Sequence, residues 1–159
     1  MYNQLYNYFV PHLLSDSLSG FLKSHSTCSA LLKITEDWRT ALDEKQIVSL
    51  VSIDLSKPFD TICHRLLLRK LKEYGVSTPS LKLICSYRIG RRQRVKVENV
   101  FSEWRTVQCG VLQGFLLGPL FFNIYINDIT FITKNMQLRL YADDTTSYCS
   151  SNCPAVLHK

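Results

Sequence analysis

Leu138-Arg-Leu-Tyr-Ala-Asp-Asp-Thr-Thr-Ser-Tyr148 is the stretch on which the reading of this chain turns. Its first half alternates apolar and polar residues up to Asp143-Asp144, and 145–148 then returns as a second short strand, so the paired aspartates sit at a hairpin tip. Far upstream, Ile47-Val-Ser-Leu-Val-Ser-Ile53 has the pattern of a strand buried on both faces, and it ends at Asp54. Pairing of these strands would bring three carboxylates to one edge of a sheet. Clustered carboxylates repel. Their ionised forms are tolerated where hard divalent cations sit between them, and two Mg²⁺ ions ~3.5–4 Å apart activate an attacking oxygen and stabilise a leaving one. Phosphoryl transfer is one reading of the pattern. Ordinary turn chemistry of aspartate is the other.

Between these strands the chain reads as helices and a hairpin. Ala30, Leu31, Ile34, Trp38 and Ala41 recur at helical spacing over 26–42, with charges between them. Residues 62–74 form a helix closed by Gly75, and Thr78-Pro79 supplies a cap and first-turn proline for another that ends near Gly90. Residues 93–98 and 103–108 alternate around a polar link at 99–102, which predicts a hairpin, and 120–129 resumes helical spacing. The first twenty residues carry no clear element and are expected to be loosely ordered.

With 159 residues, 46% hydrophobic and 20% charged, the composition is that of one globular unit able to bury a core without a disulfide framework. The six cysteines include no Cys-x-x-Cys pair, and Cys149, Cys153 and His158 make at most half a zinc site. The start of the chain has neither a basic cluster nor a long apolar run, so the expected location is intracellular, nuclear or cytoplasmic, and not secreted. The most apolar window, 114–126, is interrupted and too short for a bilayer, so no membrane partner is expected. The net charge of +6 favours a polyanionic partner, and Arg88, Arg91, Arg92, Arg94 and Lys96 concentrate it within nine residues.

Ile53-Asp-Leu-Ser-Lys-Pro-Phe-Asp60, Gly110-Val-Leu-Gln-Gly-Phe-Leu-Leu-Gly-Pro119 and Tyr141-Ala-Asp-Asp144 follow one another in this order. Together they resemble the reverse transcriptase of LINE-type, non-long-terminal-repeat retrotransposons. The similarity covers about 19–150, including Ser19-Gly-Phe-Leu-Lys-Ser-His-Ser26 and Thr35-Glu-Asp-Trp38. The resemblance implies an α/β, polymerase palm-like fold: a small, mostly antiparallel sheet packed on helices, with part of the fingers and no thumb. It divides the chain into a poorly defined 1–18, a partial reverse transcriptase domain at 19–150 and a tail at 151–159.

By position, the resemblance makes Asp54, Asp143 and Asp144 the catalytic metal ligands for two Mg²⁺ ions, with Mn²⁺ as the alternative, and adds the backbone carbonyl of Leu55. Phe59 takes the place of the aromatic that screens the sugar 2′-position. Gln113 and Gly114 fall where the family positions nucleotide and template. Tyr141 lies by the primer terminus, and the 88–96 cluster is placed to meet nucleic-acid backbone. The implied partners are an RNA template, a DNA primer and deoxynucleoside triphosphates; the oligomeric state is left open.

Four positions depart from the family pattern. Pro58 replaces a small residue, removes a backbone donor and restricts Lys57 before it. Phe115 replaces the usual Ser, which predicts overpacking beside the nucleotide. Leu112 replaces Pro. Leu22 stands where many members have an Arg for the triphosphate, leaving Lys23 to serve. With fifteen residues beyond Asp144, the resemblance leads to the expectation of a fragment that stops short of the family's thumb and lacks a preceding endonuclease segment. The expectation is an RNA-directed DNA polymerase fragment impaired by truncation and motif changes. The alternative is a catalytically inactive nucleic-acid-binding remnant, and a third reading is a small structural domain.

Overall fold

The computed structural model describes residues 1–88, 90–111, 114–132 and 136–153. In chain order it contains α1 (Tyr2–Phe9), α2 (Thr27–Asp43), β1 (Ile47–Asp54), α3 (Pro58–Thr61), α4 (His64–Glu73) and α5 (Thr78–Arg88). Four two-residue strands follow, β2 (Arg92–Gln93), β3 (Lys96–Val97), β4 (Val100–Phe101) and β5 (Arg105–Thr106). Helix α6 (Leu117–Ile126) runs into a 3₁₀ turn at Asn127–Phe131, and β6 (Gln137–Tyr141) and β7 (Asp144–Ser151) complete the described chain. Two compact units emerge: Met1–Ser56 with Ile126–Lys159, and Lys57–Tyr125.

The first unit is built on an antiparallel sheet of order β1-β7-β6. Leu138 and Leu140 point from β6 into a buried cluster with Leu18, against which Leu14, Leu22, Ile126 and Ile129 pack. Residues 1–18, expected to be loosely ordered, supply helix α1 and part of this core. Leu18 bridges Leu140 in parallel, with Ser19 N–H donating to Leu140 O and Leu140 N–H to Ser17 O, both at 2.8 Å. Buried Asn127 fixes the preceding loop, its Oδ1 accepting from Ser15 N–H at 2.8 Å and its Nδ2 donating to Leu13 O at 2.9 Å.

Helix α2 covers the other face of the sheet. It starts where reciprocal capping satisfies two orphan donors: Ser26 Oγ accepts from Ser29 N–H at 3.1 Å, and Ser29 Oγ from Ser26 N–H at 2.9 Å. Its Asp37 accepts from Arg139 Nη2 at 2.8 Å and from the Tyr148 hydroxyl, while Trp38 meets Tyr148 edge to face. Burial alone would raise the Asp37 pKa, but the Tyr148 and Arg139 hydrogen bonds and the Arg139 charge outweigh it and hold the carboxyl below its ordinary range. Burial, reinforced by the bond to Asp37, pushes Tyr148 up to about 12.

Strand β1 corrects one expectation. It was read as buried on both faces, yet it is an edge strand with Ile47, Leu50, Val51 and Ile53 exposed. A run of β-branched residues reports strand preference, and burial depends on neighbours that the run does not encode.

In the second unit α4 buries His64, Leu67 and Leu71. It ends in a Schellman motif at Gly75 (φ +85°), with Val76 N–H donating to Leu71 O and Gly75 N–H to Lys72 O, each at 3.0 Å. The expected hairpin forms with its tip shifted: β2 pairs with β5, β3 with β4, and the turn lies at Glu98-Asn99 instead of 99–102. Ser102 is drawn into the ladder, its N–H donating to Val95 O and its hydroxyl accepting from Val95 N–H, both at 2.9 Å. No helix among the described residues is long and apolar enough to cross a membrane.

Candidate active site

The β1–β7 register sets Asp54 directly opposite Asp144, and the β6–β7 register sets Tyr141 opposite Asp144. Directly opposed residues share a sheet face, so Asp54, Asp144 and Tyr141 lie on one face at one end of the sheet. Asp143 occupies the two-residue turn between β6 and β7 beside Ala142, whose φ is +56°. A positive φ at the first turn position fits the right-handed strand twist and normally calls for glycine, so an alanine there is strained.

Gly20 presses on that turn. A Cβ at Gly20 would lie 2.2 Å from the Ala142 nitrogen and 2.9 Å from its Cα, so only glycine fits. The contact escaped the sequence reading, and the sole signal for it was the Ser19-Gly20 pair within the family-like segment. Lys23 sits near the same end of the N-terminal segment. Its N–H donates to the Tyr6 hydroxyl at 2.7 Å and its ammonium lies 5.2 Å from the Tyr6 ring centre. Leu22, at the family's Arg position, packs on the Leu138–Leu140 cluster.

Asp54 and Asp144 are exposed, Leu55 and Asp143 half-buried. The backbone thus gathers the three aspartate positions. Their side chains form no metal-holding set, since no three His, Cys, Asp or Glu among the described residues are grouped for one. Like charges in direct register repel, and exposed side chains are free to turn toward water. As a donor set, three carboxylates still match the hard oxygen preference of Mg²⁺.

The other predicted residues lie in the second unit. Phe59 is half-buried with its ring centre 4.7 Å from that of Phe122. Gly114 is exposed with φ +79°; Gln113 and Leu112 lie outside the described residues, as does His158. Phe115 is 52% exposed, so the expected overpacking at this position is not seen: the ring has solvent on one side instead of a crowded wall. Pro58 takes the first helical position of α3, where a missing N–H costs the helix nothing, while Lys57 before it is held left-handed at φ +51°. The strain of the substitution therefore falls on Lys57.

Gly110 (φ +86°) approaches Asp60 so closely that a Cβ would meet the Asp60 carbonyl oxygen at 2.9 Å. Its N–H donates to Ile62 O at 2.9 Å, and His64 Nε2 donates to the Gly110 carbonyl at 2.8 Å. Beside it opens a cleft of about 580 Å³ whose lining includes Tyr87, Arg91 and Gln93.

Arg91, Arg92, Arg94 and Lys96 stand along the hairpin with aromatic partners that the sequence reading left out; Arg88 ends α5, and its side chain lies outside the described set. The Arg94 guanidinium lies 3.9 Å from the Phe101 ring centre and 4.6 Å from that of Trp104, Arg92 5.6 Å from Trp104, and Arg91 5.6 Å from Tyr87. Trp104 and Phe101 are each nearly half exposed, so the face offers both charge and stacking surface.

A family model described as reverse transcriptase (RNA-dependent DNA polymerase) matches residues 1–159. The probable RNA-directed DNA polymerase from transposon BS of Drosophila melanogaster is 32% identical over 148 residues, which cover 89% of this chain and 16% of that protein. The RNA-directed DNA polymerase from mobile element jockey of Drosophila funebris is 28% identical over 141 residues, covering 84% and 15%. The chain thus spans about one sixth of the length of these relatives. In fold it is similar to telomerase from Candida tropicalis, solved with a fragment of telomeric RNA, at a TM-score of 0.68 and 14% identity over 97% of this chain and 28% of that one. Telomerase from Candida albicans gives 0.66 over 93% and 29%. The α/β palm-like architecture, the three ordered motifs and the match along its whole length place the chain in the reverse transcriptase (RNA-dependent DNA polymerase) family, with curated relatives among LINE-type elements.

Proposed function

We propose that this segment carries the catalytic end of an RNA-directed DNA polymerase that joins deoxynucleotides to a primer 3′-hydroxyl along an RNA template. The observation that carries the reading is the register: Asp54 opposite Asp144, with Asp143 in the adjoining turn. Asp54, Asp143 and Asp144, with the Leu55 carbonyl, would hold Mg²⁺ ions that supply Lewis-acid activation of the attacking oxygen and charge neutralisation of the leaving one. In this reading Tyr141 borders the primer end and Phe59 excludes a ribose 2′-hydroxyl. Gln113, Gly114 and Lys23 serve the nucleotide. Arg88, Arg91, Arg92, Arg94 and Lys96 neutralise template or primer phosphates.

The strained Lys57 impairs this site. A second reading, a silent nucleic-acid-binding remnant, draws support from the separated carboxylates and the stacked, basic hairpin. Grafting 19–150 into a full-length LINE-type relative and measuring primer extension separates the two. Extension that Asp54→Asn or Asp144→Asn lowers on the order of a thousandfold supports the polymerase. A graft that binds RNA but extends no primer supports the remnant.

A further inference from the structure

Cys63 and Cys109 are distant in sequence yet directly opposite in an isolated antiparallel bridge. The flanking bond from Gly110 N–H to Ile62 O marks this as the narrow, non-hydrogen-bonded type of pair, with Cα atoms about 4.5 Å apart and both side chains leaving the same face. A disulfide accepts Cα separations of roughly 4.4–6.8 Å. The pair is held in place by its neighbours, since Val111 N–H donates to Phe59 O at 2.7 Å and His64 Nε2 to Gly110 O at 2.8 Å. Both cysteines are exposed, and Cys109 also lines the cleft beside Gly110. Cys149, by contrast, faces Ser49.

We propose that Cys63 and Cys109 are an oxidative modification site, a cross-strand dithiol that closes to a disulfide with a low-molecular-weight disulfide such as oxidised glutathione. One thiolate of the pair attacks a glutathione sulfur, forming a mixed disulfide and releasing one glutathione. The second thiolate attacks the protein sulfur of that mixed disulfide and displaces the other glutathione. Two protein thiols lose two electrons, one glutathione disulfide gains them, and the two protons pass to the departing glutathione thiolates. The bond ties the entry of α4 to the strand that leads into Gly110. This inference does not depend on the polymerase reading.

The test is incubation of the full chain with glutathione disulfide, followed by intact mass and peptide mapping without reductant. The expected product has lost two hydrogens, joins the Cys63 peptide to the Cys109 peptide and leaves four of the six thiols free. Closing this long loop raises the unfolding midpoint by about 5 °C or more, reversibly with dithiothreitol. Cys63→Ser and Cys109→Ser each abolish the link, and peptide mapping of the unsubstituted chain decides the matter if either variant fails to fold. A stable link between another pair, or Cys63 and Cys109 each retaining its own glutathione, would overturn the proposal.

Discussion

Gly20→Ala is the substitution that most directly probes how the aspartate turn is held. The new Cβ would sit 2.2 Å from the Ala142 nitrogen, where ordinary contact begins at 3.4 Å, so the turn and the Leu18–Gly20 segment must part by more than 1 Å. Both sides of the contact are backbone, and both are tied to β6 through the Ser19–Leu140 and Leu140–Ser17 hydrogen bonds. Neither side can yield without lengthening those bonds. Overpacking of this kind costs about 1–3 kcal/mol, and the rigidity here argues for about 3. For a chain of this size that lowers the melting midpoint by roughly 6–12 °C. Urea denaturation gives the free energy, and amide hydrogen exchange at 140–145 reports the turn directly. A loss below ~0.5 kcal/mol with unchanged exchange at those residues would refute the argument that Gly20 clamps the turn.

Asp37→Asn removes the charge that Arg139 and Tyr148 share, and denaturation should show a loss of about 1–2 kcal/mol at neutral pH. Because the folded Asp37 pKa is depressed, its contribution is present above the ordinary carboxylate range and lost as pH falls through the folded value; the variant should therefore lose less stability on acidification than the parent. An identical acid limb in the two proteins would contradict this. Replacing Arg91, Arg92 and Arg94 by Ala should flatten the salt dependence of RNA affinity by about three units or less, and an unchanged slope would make the cluster ordinary solvated surface. In the full-length graft, Pro58→Ala should raise deoxynucleotide incorporation by freeing Lys57, and equal incorporation would show this departure to be harmless.

What the sequence made legible is what local pattern encodes. Helix α2 was readable because its apolar residues keep helical spacing, while the Ser26 cap came to light only with the structure. The β6–β7 turn was readable because two aspartates interrupt alternating residues. The meeting of the aspartates at one sheet edge was readable from strand ends that carry carboxylates, whereas the register that sets Asp54 opposite Asp144 came only with the backbone. Position along the chain does not encode whether an apolar strand acquires neighbours, which is why β1 was misjudged as doubly buried. Nor does it encode side-chain direction: the aspartate positions meet while their carboxylates remain ungrouped, and Phe115 points to solvent. The restriction Pro58 places on Lys57 was readable from the pair itself, whereas the place of Pro58 at the start of α3 and the left-handed φ of Lys57 appear only with the backbone. Contacts between residues far apart in sequence, such as Gly20 on Ala142 or Cys63 opposite Cys109, leave no periodic trace.

The central claim is that the end of the sheet bearing Asp54, Asp143 and Asp144 is where divalent metal binds. Titrating the isotopically labelled chain with Mn²⁺ and following paramagnetic broadening of backbone amide signals tests it most directly. The account predicts selective broadening at 53–55 and 141–145, competed by excess Mg²⁺ and weakened by Asp54→Asn and Asp144→Asn. Broadening centred elsewhere in the chain, or a pattern that both substitutions leave unchanged, would contradict it.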